Sequence, residues 1–259
     1  MQDELDEIAF LAAEEGFRAI RDSSTNLTAF LDGNGPGDLV ANLARRSRTA
    51  IVDCINSHRR HDGWQVKGAE ETLGTSGVRW IVNPLDGTVD SARLMPYHAV
   101  SVAAEAEGET VAAHIVQMSG AKLVDRIACG PTGLGPEFWE GWVIPAEWDP
   151  ARAVLGFALP DDAECRRDAL HLLADVAPHV GAVRCFGSAA YDLANVVKGG
   201  LDGFVGFGQQ PWDVAAGLAV VRTAGGTVRR LRGESGLEVV IAGTAAMVDA
   251  VSGWVPTAP

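Results

Sequence analysis

The spacing of apolar residues changes twice along this chain, and those changes limit what it can fold into. Leu5, Ile8, Leu11, Ala12 and Ile20 recur near helical spacing over residues 3–21, and Leu39, Leu43, Ser47, Ala50, Ile51, Cys54 and Ile55 do so over 38–58. Between them Asp32-Gly33-Asn34-Gly35-Pro36-Gly37 opposes regular structure, and Asp38 is placed to cap the second helix. From 78 to about 127 the pattern becomes short β-rich runs, Val78–Val82, Ala99–Ala104, Val111–Val116 and Leu123–Ile127.

After residue 150 strands and helices alternate. Val154–Leu159 precedes a helix over 161–176, Val183–Phe186 a helix from Ser188, and Phe204–Phe207 a helix from Trp212, with Val228–Leu231 following. A helix pair and sheet therefore lead into an α/β half. Residues 130–136, Gly-Pro-Thr-Gly-Leu-Gly-Pro, form the candidate linker, and Trp139, Trp142 and Trp148 read as packing residues. The expected organisation is an N-terminal α+β part, 1–148, and a C-terminal α/β part, 149–259.

An apolar share of 47% is ample for a substantial core. The net charge of −13, with no basic block beyond Arg45, Arg46 and Arg48, argues against nucleic acid and anionic membrane surfaces. An anionic small substrate stays compatible, because a bound cation reverses the local field. Cys54, Cys129, Cys165 and Cys185 form no Cys-x-x-Cys pair and the six histidines no metal-binding spacing, so reduced thiols and structural imidazoles are expected. The start, Met1-Gln2-Asp3-Glu4, lacks the features of a secretory signal, and no apolar run reaches bilayer length. A cytoplasmic protein is the expectation.

The chemistry-bearing segments are scattered. Asn83-Pro84-Leu85-Asp86-Gly87-Thr88 follows the first β-run; Pro84 should stop a regular central strand, and Gly87 permits close approach of backbone to ligand. Taken alone this is an ordinary turn, Glu70 and Glu71 a solvated pair, and Asp213 and Ser188 helix-capping residues. Their order suggests more. Ala69-Glu70-Glu71, the Asn83 segment, Gly187-Ser188-Ala189-Ala190-Tyr191-Asp192-Leu193, Gly199–Phe204, Pro211-Trp212-Asp213-Val214-Ala215-Ala216-Gly217 and Thr223–Gly226 resemble, in order and near-spacing, the segments of the inositol monophosphatase family.

That resemblance implies an α+β layered αβαβα sandwich of the inositol monophosphatase and fructose-bisphosphatase-like type. It also implies a magnesium-dependent phosphomonoesterase of the lithium-sensitive type, often a homodimer, acting on a small phosphorylated or polyol-like ligand. By position, Glu70, Asn83, the Leu85 carbonyl, Asp86 and Asp213 would surround Mg2+. Gly87, Thr88, Gly187, Ser188 and Ala189 would face phosphate and substrate, with Thr88, Glu70 and Asp86 carrying catalysis. Hard oxygen ligands suit Mg2+, which lowers the pKa of water and stabilises a leaving alkoxide.

The chain departs from the family pattern at several of these places. Asn83 stands where the family carries a bridging aspartate, and Ala44 where an aspartate would work with Thr88 on the attacking water. Losing one unit charge about 4 Å from a cation forfeits roughly 4 kcal/mol at an effective dielectric near 20, about three decades of affinity. Fewer or weaker magnesium sites follow. Asp90-Ser91 replace an asparagine and an aromatic, and Gly206 replaces a polyol-gripping glutamate. Asp90 is a candidate compensating carboxylate.

Two functions are therefore expected in competition. One is a binder of a small phosphorylated metabolite with weakened or rearranged metal-assisted hydrolysis. The other is a phosphatase-fold protein that has lost hydrolysis and serves another reaction in a specialised pathway, or binds its ligand without catalysis.

Overall fold

The computed structural model describes residues 1–24, 35–93, 95–119, 123–129, 144, 147–160, 162–233 and 236–256. Two long helices, α1 (Gln2–Ser24) and α2 (Gly35–His58), pack against each other at the start of the chain. The second helix begins at Gly35, inside the expected turn, and Asp38 lies within its first turn instead of preceding it. Pro36 suits that position because a first-turn N–H has no intrahelical acceptor to lose. The rest of that expected turn, the 130–136 linker, Trp139 and Trp142 lie outside the described residues.

The first sheet runs in the order β1 (Gly63–Val66), β2 (Val78–Asp86), β3 (Ala99–Ala106), β4 (Glu109–Ser119), β5 (Leu123–Cys129). β1 is parallel to β2 and the other neighbours are antiparallel. Strand side chains alternate between faces. Trp80 and Val82 accordingly pack with Leu5, Ile8, Ile51 and Ile55 under the helix pair, while Ile81 enters the opposite core. Two hydrogen bonds pin this layer: Trp80 Nε1 donates to the buried Asp62 at 2.9 Å, and Asp6 of α1 and His114 of β4 share one of 2.9 Å.

The second sheet has the order β7 (Ala182–Arg184), β6 (Val154–Ala158), β8 (Gly203–Phe207), β10 (Glu238–Gly243), β9 (Thr227–Arg232). β6 is parallel to both its neighbours, and β10 is antiparallel to β8 and β9. Helices α5 (Ala189–Val197) and α6 (Pro211–Thr223) lie between the two sheets. Helices α4 (Ala163–Val176) and α7 (Ala245–Trp254) cover the outer face, where Phe157, Val205, Phe207, Ile241, Val248 and Val251 form a core of their own. Trp148 packs against that core, as expected of a packing residue.

The result is the expected αβαβα sandwich: helix pair, sheet, helix pair, sheet, helix pair. Among the described residues no helix is long and apolar enough to cross a membrane. Cys54, Cys165 and Cys185 carry no disulfide.

Candidate active site

Four segments converge where the carboxyl end of β2 meets the amino ends of the central helices. β1 and β2 are in parallel register with Val66 opposite Val82, so the next residue, Lys67, leaves β1 level with Asn83. Its backbone N–H donates to the Val82 carbonyl at 3.0 Å, which fixes that level. β2 does not stop at Pro84 as expected. It continues to Asp86 through an irregularity, Asn83 pairing with Ser101 and Asp86 with Ala99. Pro84 has no ladder donor, and a bulge is where a strand tolerates that loss.

Beyond Asp86 the backbone turns at Gly87, whose φ of 77° is left-handed, into the short helix α3 (Thr88–Ala92). A Cβ at Gly87 would overlap the Tyr97 carbonyl and approach the Ser188 Cβ at 3.2 Å, so only glycine lets the two turns touch. Gly187, with φ of 74°, has the Asp90 carboxylate where its own Cβ would be. The turns of 87–88 and 187–189 thus face each other across the junction of the two sheets.

The Asp86 carboxylate is the link between them. Its Oδ2 accepts from Ser188 Oγ at 2.7 Å and from the Ala190 N–H at 2.9 Å, at the amino end of α5. Ser188 Oγ also accepts the Tyr191 N–H at 3.2 Å, so it caps the helix and anchors Asp86 at once. The other oxygen of Asp86 lies 3.9 Å from Lys67 Nζ.

Asp213, in the first turn of α6, is held just as fully. Its Oδ2 accepts the Gln210 N–H at 3.1 Å in a capping box. Its Oδ1 accepts from Lys67 Nζ at 3.4 Å and from Asn83 Nδ2 at 3.0 Å. The Asn83 oxygen is turned to the Leu85 N–H at 3.3 Å. The amide therefore aims its donor, not its oxygen, at Asp213.

Burial, reinforced by the crowding of carboxylates, sets the electrostatics. Burial, then the charge of Asp86, pushes the Asp213 carboxyl up to about 6, and Lys67 opposes the shift. Burial and Asp86 also raise Asp90. Asp192, in the first turn of α5, is fully buried, and neither of its oxygens has a hydrogen-bond partner among the described residues. Its carboxyl is raised well above the usual range by burial, then by Asp86 and Asp90.

Of the residues singled out from sequence, Asn83, Leu85, Asp86, Gly87, Thr88, Gly187, Ser188, Ala189 and Asp213 come together here. Glu70 does not join them by contact. It is exposed on the segment after β1, and its neighbour Glu71 pairs with Arg79. Ala44 is half-buried on α2 and packs against the helix-pair core. Lys67, which the structure places between Asp86 and Asp213, is the charged side chain that the sequence does not single out; its position directly before Gly68-Ala69-Glu70 is the available signal.

Among the described residues no group of three or more His, Cys, Asp or Glu side chains is placed to hold a metal ion. Asp86 commits one oxygen to protein donors and Asp213 commits both, and the Oδ1 of each also faces the Lys67 ammonium. Magnesium demands near-octahedral oxygen ligation. This arrangement of side chains does not fit it.

Comparison with known proteins identifies the ancestry. The model of the inositol monophosphatase family matches residues 1–253. The chain belongs to the inositol monophosphatase family. It is 33% identical to the inositol-1-monophosphatase of Rhizobium meliloti over 198 residues, 74% of this chain and 72% of that one. It is 32% identical to the inositol-1-monophosphatase SuhB of Mycobacterium tuberculosis over 232 residues, 81% and 79% of the two chains. The crystal structure of the extragenic suppressor protein suhB of Bartonella henselae superposes with a TM-score of 0.74 at 27% identity, covering 96% of each chain. Members of the inositol monophosphatase family are magnesium-dependent phosphatases that bind phosphorylated small molecules.

Proposed function

We propose that this chain is an inositol monophosphatase-like protein that binds a small phosphorylated metabolite where the 87–88 and 187–189 turns meet, with phosphomonoester hydrolysis weakened. The observation that carries the reading is the bond from Ser188 to Asp86, which joins segments 102 residues apart into one polar site within a phosphatase fold. Gly87, Thr88, Gly187, Ser188 and Ala189 are the proposed ligand-facing residues. Asp86 and Asp213 form the acidic pair, Thr88 positions water, and Glu70 stands outside the contact network. A buried polar site of this kind is retained at a cost in stability, which favours a ligand over a purely structural role.

A second reading, a phosphatase-fold protein that no longer hydrolyses esters, is favoured by one specific feature. Asn83 donates an N–H into Asp213 at 3.0 Å, where metal-assisted hydrolysis needs an acceptor. The two readings separate in one experiment: a panel of sugar, polyol and nucleotide phosphates assayed over a magnesium titration. The parent chain is compared with Asn83→Asp, Asn83→Asp/Ala44→Asp and Asp213→Asn. Slow, Asp213-dependent phosphate release by the parent supports weakened hydrolysis. Release only by the doubly restored protein supports the second reading. The proposed setting is a cytoplasmic homodimer, and sedimentation velocity on the purified chain checks the subunit count.

A further inference from the structure

The place between Asp86 and Asp213 already holds a positive charge supplied by the chain. Lys67 Nζ lies 3.4 Å from Asp213 Oδ1 and 3.9 Å from Asp86 Oδ1. The Asp86 oxygen is the one not bonded to Ser188 and Ala190, and the Asp213 oxygen is the one that also accepts from Asn83 Nδ2. We propose that Lys67 is the resident cation of this pocket, taking the position a divalent ion would have to fill, so that a phosphorylated ligand is held here without magnesium. The inference rests on the phosphate-binding reading above and states which cation serves it.

Three features make the lysine a built part of the site. First, its backbone is fixed: Lys67 N–H donates to Val82 O at 3.0 Å, and Ala69 N–H closes a turn on Val66 O at 3.0 Å. Arg48 Nη1 donates to the Gly68 carbonyl at 2.5 Å, so α2 clamps the turn that carries the lysine. Second, the partners are sheltered, the Asp86 side chain being 6% exposed and that of Asp213 15%, with Lys67 at 31%. An ammonium that left would strand two carboxylates in a poorly solvated place.

Third, Asn83 matches a lysine and not a metal. Its amide donates to the same Asp213 oxygen that Lys67 bonds, so two donors share one acceptor. A divalent ion at that oxygen would face an NH2 group and an ammonium, and both repel it. The outward part of Lys67 stays open, as a point charge for phosphate requires.

The test uses Mn2+ alone as a spin-resonance probe of divalent binding, and inorganic phosphate followed by titration calorimetry in EDTA and in millimolar magnesium. The parent should bind phosphate equally in both media and bind Mn2+ weakly. Lys67→Met should gain Mn2+ affinity by at least about tenfold as the competing charge is removed. The same variant should lose phosphate binding in EDTA and regain it with magnesium, while Lys67→Arg keeps the parent behaviour and shows that the fold tolerates change there.

Tight Mn2+ binding by the parent that is lost in Asp213→Asn and unmoved in Lys67→Met would overturn the role of Lys67. If phosphate binds in no medium, the proposed ligand class fails, and the Mn2+ titrations alone still decide for or against Lys67.

Discussion

Single residues at this site carry energies large enough to be read in simple unfolding experiments. Replacing Asn83 by aspartate swaps a donor to Asp213 for a second carboxylate against it. In EDTA the Asn83→Asp protein should lose about 1–3 kcal/mol in urea unfolding, the usual cost of breaking a buried hydrogen bond unfavourably. Adding magnesium should restore much more of that loss when Lys67→Met is also present. Asp192 gives a complementary case, because its carboxyl is raised in the fold by burial, then by Asp86 and Asp90. A raised acid binds its proton more tightly folded than unfolded, so stability falls as pH rises above the unfolded carboxylate range. Asp192→Asn removes that slope. Its thermal stability relative to the parent should improve more near about pH 8 than near about pH 5, and equal gains at both would show that Asp192 does not titrate as its burial implies.

Elements explain why some of these residues can be found in a sequence and others cannot. Gly187–Leu193 and Pro211–Gly217 are legible because each combines a turn, a cap and a helix start within a few positions, and Ser188 and Asp213 do cap the helices they open. Lys67 has no such local signature. Its role comes from parallel pairing of β1 with β2, and a four-residue strand, Gly-Trp-Gln-Val, shows no periodicity to reveal it. β10 was equally hidden, since Val239 and Ile241 face one core and Val240 and Ala242 the other, leaving no polar alternation. Pro84 signals a strand end in the sequence because a regular ladder excludes proline, and the bulge at Asn83–Asp86 is the exception that carries the site. The turn after that bulge should be intolerant of any side chain. Gly87→Ala must either leave φ of 77° or displace Tyr97, and it should cost about 1–3 kcal/mol. Loss of phosphate binding should accompany the drop, because Gly87 also accepts from the Ser91 N–H at 2.9 Å and so starts α3.

At the scale of the molecule, the site lies where two sheets share one core, so binding and folding are coupled through the same layer. Ile81 and Ile115 from the first sheet, Leu193 and Leu218 from the central helices, and Phe204 and Val240 from the second sheet belong to a single buried cluster. The 1–148 part and the 149–259 part both contribute to that cluster. Leu193 is the most telling position, fully buried on α5 five residues after Ser188 and packed where a Cβ on Gly217 of α6 would strike it. Leu193→Ala leaves a cavity at the centre of the sandwich and should cost about 2–5 kcal/mol. If the layers form one cooperative unit, that loss shifts a single calorimetric transition that near-ultraviolet circular dichroism and tryptophan fluorescence report together. A fragment spanning 149–259 should then show no cooperative unfolding, since α5 and α6 would expose to water the face they turn to the first sheet. Two separate transitions, with only one moved by Leu193→Ala, would instead mean that the acidic pair is assembled by docking of two independently stable parts. Phosphate binding would in that case report on the docking as well as on the pocket.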